Sequence, residues 1–263
     1  MSLPNEFPVY SISKPFLAQA VLELGFELKA PIGAYLSNLS ASYANRQVGQ
    51  LLNHTSGLDD YGTMPEYRDA VAAREQVWAR DYLLELAERL PHSNTGFQYS
   101  NIGYLLLRMA VEKQTSLSYF DALTKLVFEP LGIQGFTEWE QASALVPDYD
   151  PRWVYSGTFV AQSDALIPAL KKLVAHRKKT AGLEAGRAPV PYPNTGFDHP
   201  AYGYGLMVDS NPVTAVGHGG GGPGFQLMAL VNAETGIADF EIATDGNLDQ
   251  AAAIGRLREK LGV

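Results

Sequence analysis

Residues 9–16 read VYSISKPF. Ser11 and Lys14 stand three apart, and an apolar run, FLAQAVLELGFEL (residues 16–28), follows. If a helix begins here, positions i and i+3 share a face, and the lysine ammonium points back at the serine hydroxyl. The N–H groups of a helix start favour developing negative charge. Burial beneath residues 16–28 would lower the lysine pKa towards that of a usable base. A serine cap followed by a surface lysine fits the same eight residues. Two fixed residue types three apart make a weak motif, so the rest of the chain has to decide.

The 263 residues are 46% hydrophobic and 18% charged, a soluble globular balance long enough for one large domain or two small ones. A net charge of −8 repels a phosphate backbone, so nucleic acid is excluded as a partner. The one basic run, His176 to Lys179, closes an apolar helical pattern and reads as a solvated helix C-terminus. The chain has no cysteine, which excludes disulfides, thiol catalysis and cysteine metal sites. Its five histidines are scattered without paired spacing, so no metal site and no cofactor are expected. No stretch reaches membrane-spanning length, and the N-terminus lacks a basic-then-apolar pattern. The expectation is a protein without a membrane span, cytoplasmic as written, or periplasmic or secreted if a leader was removed.

Apolar periodicity predicts helices over 16–28, 46–52, 64–75, 79–90, 102–113, 118–128 and from Ser163-Asp164 to about 175. Between 31 and 175 strand signal is almost absent. Residues 181–202 are rich in Gly, Pro and Asn and read as a long loop. Strand-like runs follow at 203–209, 213–217, 225–232 and 237–244, and 248–261 reads as a closing amphipathic helix. The class is therefore α+β, with an antiparallel sheet late in the chain.

Three further stretches carry residues suited to chemistry. In LLNHTSGL (51–58), His54 stands at a helix end, where a histidine more often caps or packs than catalyses. In FQYSNIGY (97–104), Tyr99 and Asn101 precede a very apolar helix. A tyrosine beside an ammonium loses its proton more readily, and an asparagine offers a substrate amide both a donor and an acceptor. Tyr43-Ala44-Asn45 and Tyr192-Pro193-Asn194 carry the same pattern, so spacing alone leaves three candidates. In GHGGGGPGF (217–225), an edge strand of glycines would expose its backbone to a peptide-like ligand and its N–H groups to an oxyanion. A flexible hairpin loop is the plainer reading of those glycines. The His-Gly-Gly-Gly motif of lipase-like hydrolases is excluded, because the chain has no Gly-x-Ser-x-Gly.

Taken in order, FPVYSISK, RQVGQLLNHTSGL, FQYSNIGYLLL, EPLGI, SGTFVAQSDAL and GHGGGGPGF resemble the penicillin-recognising serine hydrolases. That family includes class C β-lactamases, DD-peptidases and related esterases and aminopeptidases. The resemblance runs from about Phe7 to Asp245. It implies an antiparallel sheet with helices packed on it and a mostly helical region. Residues 1–30 plus 160–263 would form the sheet region, with the serine helix and the His-Gly-Gly strand. Residues 31–159 would form the helical region carrying Tyr99 and Asn101, the whole making one compact unit.

By position the resemblance implies Ser11 as the acylated nucleophile, Lys14 as its base partner and Tyr99 as the family tyrosine. Tyr43 comes too early, upstream of HTSGL. Asn101 would hold substrate, together with His218, Gly219 and Gly220, and the backbone N–H groups of Ser11 and Gly221 would form the oxyanion hole. The implied reaction is hydrolysis of an amide, ester or β-lactam through an acyl-enzyme, on a small-molecule or peptide-like substrate. Histidine and glycine stand where the family has Lys-Thr-Gly or His-Thr-Gly, which weakens carboxylate binding. Only ten residues precede Ser11, where the family carries several dozen, so the N-terminal strands of the sheet would be missing. The open sheet edge this leaves would suit pairing as a homodimer. It also keeps open a catalytically weak or inactive scaffold on the same fold.

Overall fold

The computed structural model describes residues 3–91, 96–139 and 145–263. Strand β1 (Glu6–Pro8) leads through a 3₁₀ turn, Tyr10–Ser13, into helix α1 (Lys14–Glu23). Short helices α2 (Ala41–Ala44), α3 (Val48–Leu52), α4 (Pro65–Ala72) and α5 (Arg80–Ala87) precede the long α6 (Asn101–Thr115). Helix α7 (Tyr119–Leu123) continues as a π-helical turn, Thr124–Phe128. Strands β2 (Phe136–Thr137) and β3 (Val160–Gln162) come next, followed by α8 (Leu166–Lys179). Strands β4 (Ala188–Pro189), β5 (Pro200–Tyr202), β6 (Met207–Asp209), β7 (Ala215–Gly222), β8 (Phe225–Asn232) and β9 (Ala238–Ala243) build the late sheet, and α9 (Gln250–Leu261) closes it.

The six late strands lie in sequence order and pair antiparallel, and α8 and α9 pack against β8 and β9. This is the α+β class expected from the order of elements. Beside it stands a small antiparallel sheet, ordered β1-β3-β2. Its strands of two or three residues are too short to show a period of two, which is why the sequence between 31 and 175 gave no strand signal. Among the described residues, no helix is long and apolar enough to cross a membrane.

Helix α1 has no polar face, and every residue from Lys14 to Val21 is buried. Pro15 suits its first turn, where a missing N–H costs nothing. Phe16 meets Phe128, Phe136 and Phe159 edge to face, with centroids 5.6, 5.6 and 5.7 Å away. The helix ends at Glu23, before Gly25 at a left-handed φ of +67°, and so stops short of the expected end at residue 28.

Two expectations change in the late sheet. The run 203–209 is not one strand: Gly203 to Gly205 turn, with Gly205 at φ +78°, and only Met207–Asp209 pairs as β6. The glycine strand is not a sheet edge either, since β7 lies between β6 and β8. Its pairing with β6 stops at Gly217, however, while pairing with β8 continues to Gly222. Beyond Gly217, then, β7 has a paired strand on one side only among the described residues. The β7–β8 turn is Pro223-Gly224, with Gly224 at φ +79° as a type II turn needs.

Candidate active site

The turn carrying Ser11 is clamped from two sides. On one side, consecutive residues of the SGTF stretch hold it. Val9 N–H donates to the Phe159 carbonyl at 3.0 Å, Tyr10 N–H to Thr158 Oγ1 at 3.0 Å, and Ser13 Oγ to the Gly157 carbonyl at 2.7 Å. On the other side lies the glycine strand. A Cβ on Gly220 would stand 2.3 Å from the Val9 carbonyl oxygen, and one on Gly222 would stand 2.3 Å from the Tyr10 ring. The glycines are there so that one backbone can lie against another. Tyr10 itself has φ +45°, a left-handed conformation unusual for a bulky residue. Its hydroxyl donates to the Pro223 carbonyl at 2.5 Å, tying the strained turn to the β7–β8 hairpin.

Ser11 Oγ receives two donors. Lys14 Nζ and the Tyr99 hydroxyl each lie 3.0 Å from it. Lys14 is fully buried, and its Nζ also reaches Asn101 Oδ1 at 2.7 Å and Ser156 Oγ at 3.4 Å. Burial lowers its pKa to about 7, against an opposing pull from the Asp60 carboxylate. Burial thus brings the free amine of Lys14 within reach near neutral pH. Tyr99 moves the other way, since burial pushes its phenol well above the usual value. Desolvation outweighs the hydrogen bond to Ser11 that favours ionisation, so Tyr99 keeps its proton and donates it.

Tyr99 arrives from the loop before α6. Ser100 caps that helix by accepting from Gly103 N–H at 3.3 Å, which sets Asn101 as its first residue. His54 holds the same loop. Its Nδ1 accepts the Ser100 N–H at 3.1 Å, its carbonyl accepts the Gln98 N–H at 2.8 Å, and its ring lies 4.2 Å from the Tyr99 ring. This is the packing role expected of a histidine at a helix end. Tyr43 is buried elsewhere, with its hydroxyl on the Leu84 carbonyl at 2.8 Å.

The glycine-strand residues divide. Gly219 and Gly221 line a cleft of about 410 Å³ that opens on Ser11. Gly220 instead faces the Val9 carbonyl, and it is not part of the cleft wall. His218 lines the cleft with both ring nitrogens committed. Nδ1 donates to the Gly219 carbonyl at 2.5 Å, which leaves Nε2 to accept from the Tyr202 hydroxyl at 2.7 Å. Burial holds its pKa down at about 3, so the ring is neutral. The imidazole hydrogen bond expected to serve a substrate is spent inside the protein.

Three neighbours escaped the sequence reading. Asp60 accepts from Asn101 Nδ2 at 3.2 and 3.0 Å, and Ser156 sits behind Lys14. Gln250, the first residue of α9, lines the cleft beside Gly219. All reach the site through tertiary contacts that no local pattern records, although Ser156 opens a stretch that the resemblance did single out.

The chain is similar to several known proteins. Penicillin-binding protein 4* of Bacillus subtilis (strain 168) is 27% identical over 85% of this chain. The chain spans 57% of the length of that curated relative. The D-amino acid amidase from Ochrobactrum anthropi SV3, solved with D-phenylalanine, superposes with a TM-score of 0.78 at 23% identity, covering 100% of this chain and 94% of the amidase. The octameric penicillin-binding protein homologue from Pyrococcus abyssi superposes with a TM-score of 0.74 at 20% identity, covering 98% of this chain and 66% of the homologue. These structural likenesses carry the fold. The family model described as Beta-lactamase matches residues 6–240, nearly the whole span from β1 to β9. The chain belongs to the Beta-lactamase family.

Proposed function

We propose that this chain hydrolyses an acyl compound through an ester formed on Ser11. The observation that carries this reading is the pair of groups on Ser11 Oγ, a lysine with its pKa near 7 and a phenol held protonated, each at 3.0 Å. Neutral Lys14 takes the Ser11 proton as Oγ bonds to the substrate carbonyl carbon. The carbonyl electron pair moves onto its oxygen, which the N–H groups of Ser11 and Gly221 receive. The free side of β7 beyond Gly217 supports that role for Gly221, as does its place beside Ser11 in the cleft. The tetrahedral adduct collapses, and the leaving group departs with a proton delivered through the Tyr99 hydroxyl and replaced from Lys14. Water repeats the sequence on the acyl-enzyme. It gives one proton to Lys14, bonds the carbonyl carbon and releases Ser11 with its hydroxyl restored.

In this reading Asn101 sets the direction of the Lys14 ammonium, and Gly219 shapes the wall on which substrate lies. An inactive scaffold is the weaker alternative, because every member of the Ser11, Lys14 and Tyr99 group is within reach of its partner. Among the described residues, strand β9 has β8 on one side only, which supports edge pairing with a second copy as a further element of the proposal. The test is Ser11→Ala. It should abolish hydrolysis of any p-nitrophenyl ester the parent cleaves while changing stability by less than about 1 kcal/mol. Retained turnover would end the assignment.

A further inference from the structure

Two cavities meet at Ser11. The larger, of about 410 Å³, runs past Tyr99 to a wall of Phe97, Val190, Tyr192, Phe197 and Met207. The smaller, of about 180 Å³, lies on the side of Tyr10, Tyr61 and Tyr67. Among the described residues, no Lys, Arg, Asp or Glu lines either cavity. The charges beside Ser11 are already committed. Lys14 serves Ser11, Asn101 and Ser156. Asp60 serves Asn101 Nδ2 and the Gly62 N–H.

The place beside His218 where a hydroxyl side chain would meet a substrate carboxylate is taken too. A Cβ on Gly219 would stand 2.9 Å from Met228 Cε and 3.0 Å from Gln250 Nε2, so an apolar methyl and a neutral carboxamide occupy that ground. His218 offers neither a charge nor a free ring nitrogen. A carboxylate or an ammonium carried into this cleft would lose water and gain no counter-ion, which is costly. The net charge of −8 adds a long-range repulsion against anions. An aromatic or aliphatic group would gain apolar contact on the wall of Phe97, Val190, Tyr192, Phe197 and Met207.

Resting on the acyl-transfer reading, we propose that the site selects uncharged esters or amides, with the apolar group lying in the larger cleft. It selects against substrates that carry a carboxylate or an ammonium there. The selection is by missing partners, and it separates this chain from any relative that would hold such a charge.

Three p-nitrophenyl esters of equal acyl length test this: the hexanoate, the adipate half-ester with its terminal carboxylate, and the 6-aminohexanoate with its terminal ammonium. The hexanoate should be cleaved with kcat/KM at least about 30-fold above either charged ester, the scale of roughly one desolvated and unpaired charge. Gln250→Lys, which sets a cation beside Gly219, should raise the adipate-to-hexanoate ratio about tenfold. A charged ester cleaved as fast as the hexanoate would overturn the inference. So would a protein whose Ser11 is labelled by a fluorophosphonate yet which does not turn over the hexanoate. Loss of labelling at Ser11 together with no turnover of any ester would instead overturn the acyl-transfer reading beneath it.

Discussion

Asp60 holds Asn101 from behind. Its carboxylate accepts from Asn101 Nδ2 at 3.2 and 3.0 Å, while the other end of the same amide accepts from Lys14 at 2.7 Å. The orientation of the amide is dictated by chemistry, since an ammonium only donates and a carboxylate only accepts. Asp60 thus both aims the acceptor of Lys14 and supplies the negative charge that raises its pKa.

The acid limb of the pH–rate profile follows from this. Lys14 acts as base when neutral, so kcat/KM should rise with pH through a single step near 7. It should then stay flat to about pH 9, because Tyr99 keeps its proton well above the usual phenol range. Asp60→Asn removes a charge that favours the ammonium, so the limb should move to lower pH. A limb that stays in place in Asp60→Asn would deny the coupling.

The same burial predicts a stability signature. The folded state binds Lys14's proton with a pKa of about 7, whereas the unfolded chain binds it near the ordinary lysine value. Between these two values the unfolded state carries more protons, so stability contributed at this site rises with pH. Lys14→Met should be inactive and should lack that rise. The parent should gain roughly 2 kcal/mol on the variant between pH 7 and pH 9. Urea unfolding of both proteins at the two pH values measures it, and parallel pH dependences would contradict it.

Choice of tyrosine is open to a direct comparison. Tyr99→Phe removes the donor 3.0 Å from Ser11 and should lower kcat by about 10² or more. Tyr43→Phe removes only a hydroxyl bonded to the Leu84 carbonyl, and should leave kcat within a few-fold, at about 1 kcal/mol of stability. Steady-state kinetics on both variants, read against their urea midpoints, decides between them.

His54 is a positioning residue on this account. Its neutral ring accepts the Ser100 N–H and backs the Tyr99 ring, without reaching Ser11. His54→Phe keeps the ring but loses the acceptor, so kcat should fall about tenfold with KM little changed, as the Tyr99 hydroxyl drifts. His54→Gln keeps an acceptor and should recover part of that loss. Equal kcat values for the two variants would remove His54 from the account.

Much of this site was legible because its residues lie in short segments with fixed order. Ser11 and Lys14 start a helix whose apolar run announces burial, and Tyr99 stands directly before the next such helix. What burial does to each group was legible only in part. The fall in the Lys14 pKa follows from the run at 16–28, but the rise at Tyr99 depends on walls contributed by distant elements. The partner of His218 was hidden for the same reason, because Tyr202 closes a stretch that reads as loop yet forms β5. Glycines 217–222 looked like either an open edge or a hairpin. They form a paired strand whose far half is free on one side, and the cause is the early end of β6. Strand lengths of two or three residues hid the small sheet that delivers the Ser11 turn.

The central claim is that Ser11 carries the acyl group. The most direct measurement is the intact mass of the protein quenched in acid during turnover of p-nitrophenyl hexanoate, followed by peptide mapping. The account predicts one added hexanoyl group, confined to the peptide containing Ser11, absent in Ser11→Ala and lost at the rate of deacylation. An acyl group mapped to any other residue, or an equal adduct on Ser11→Ala, would contradict it.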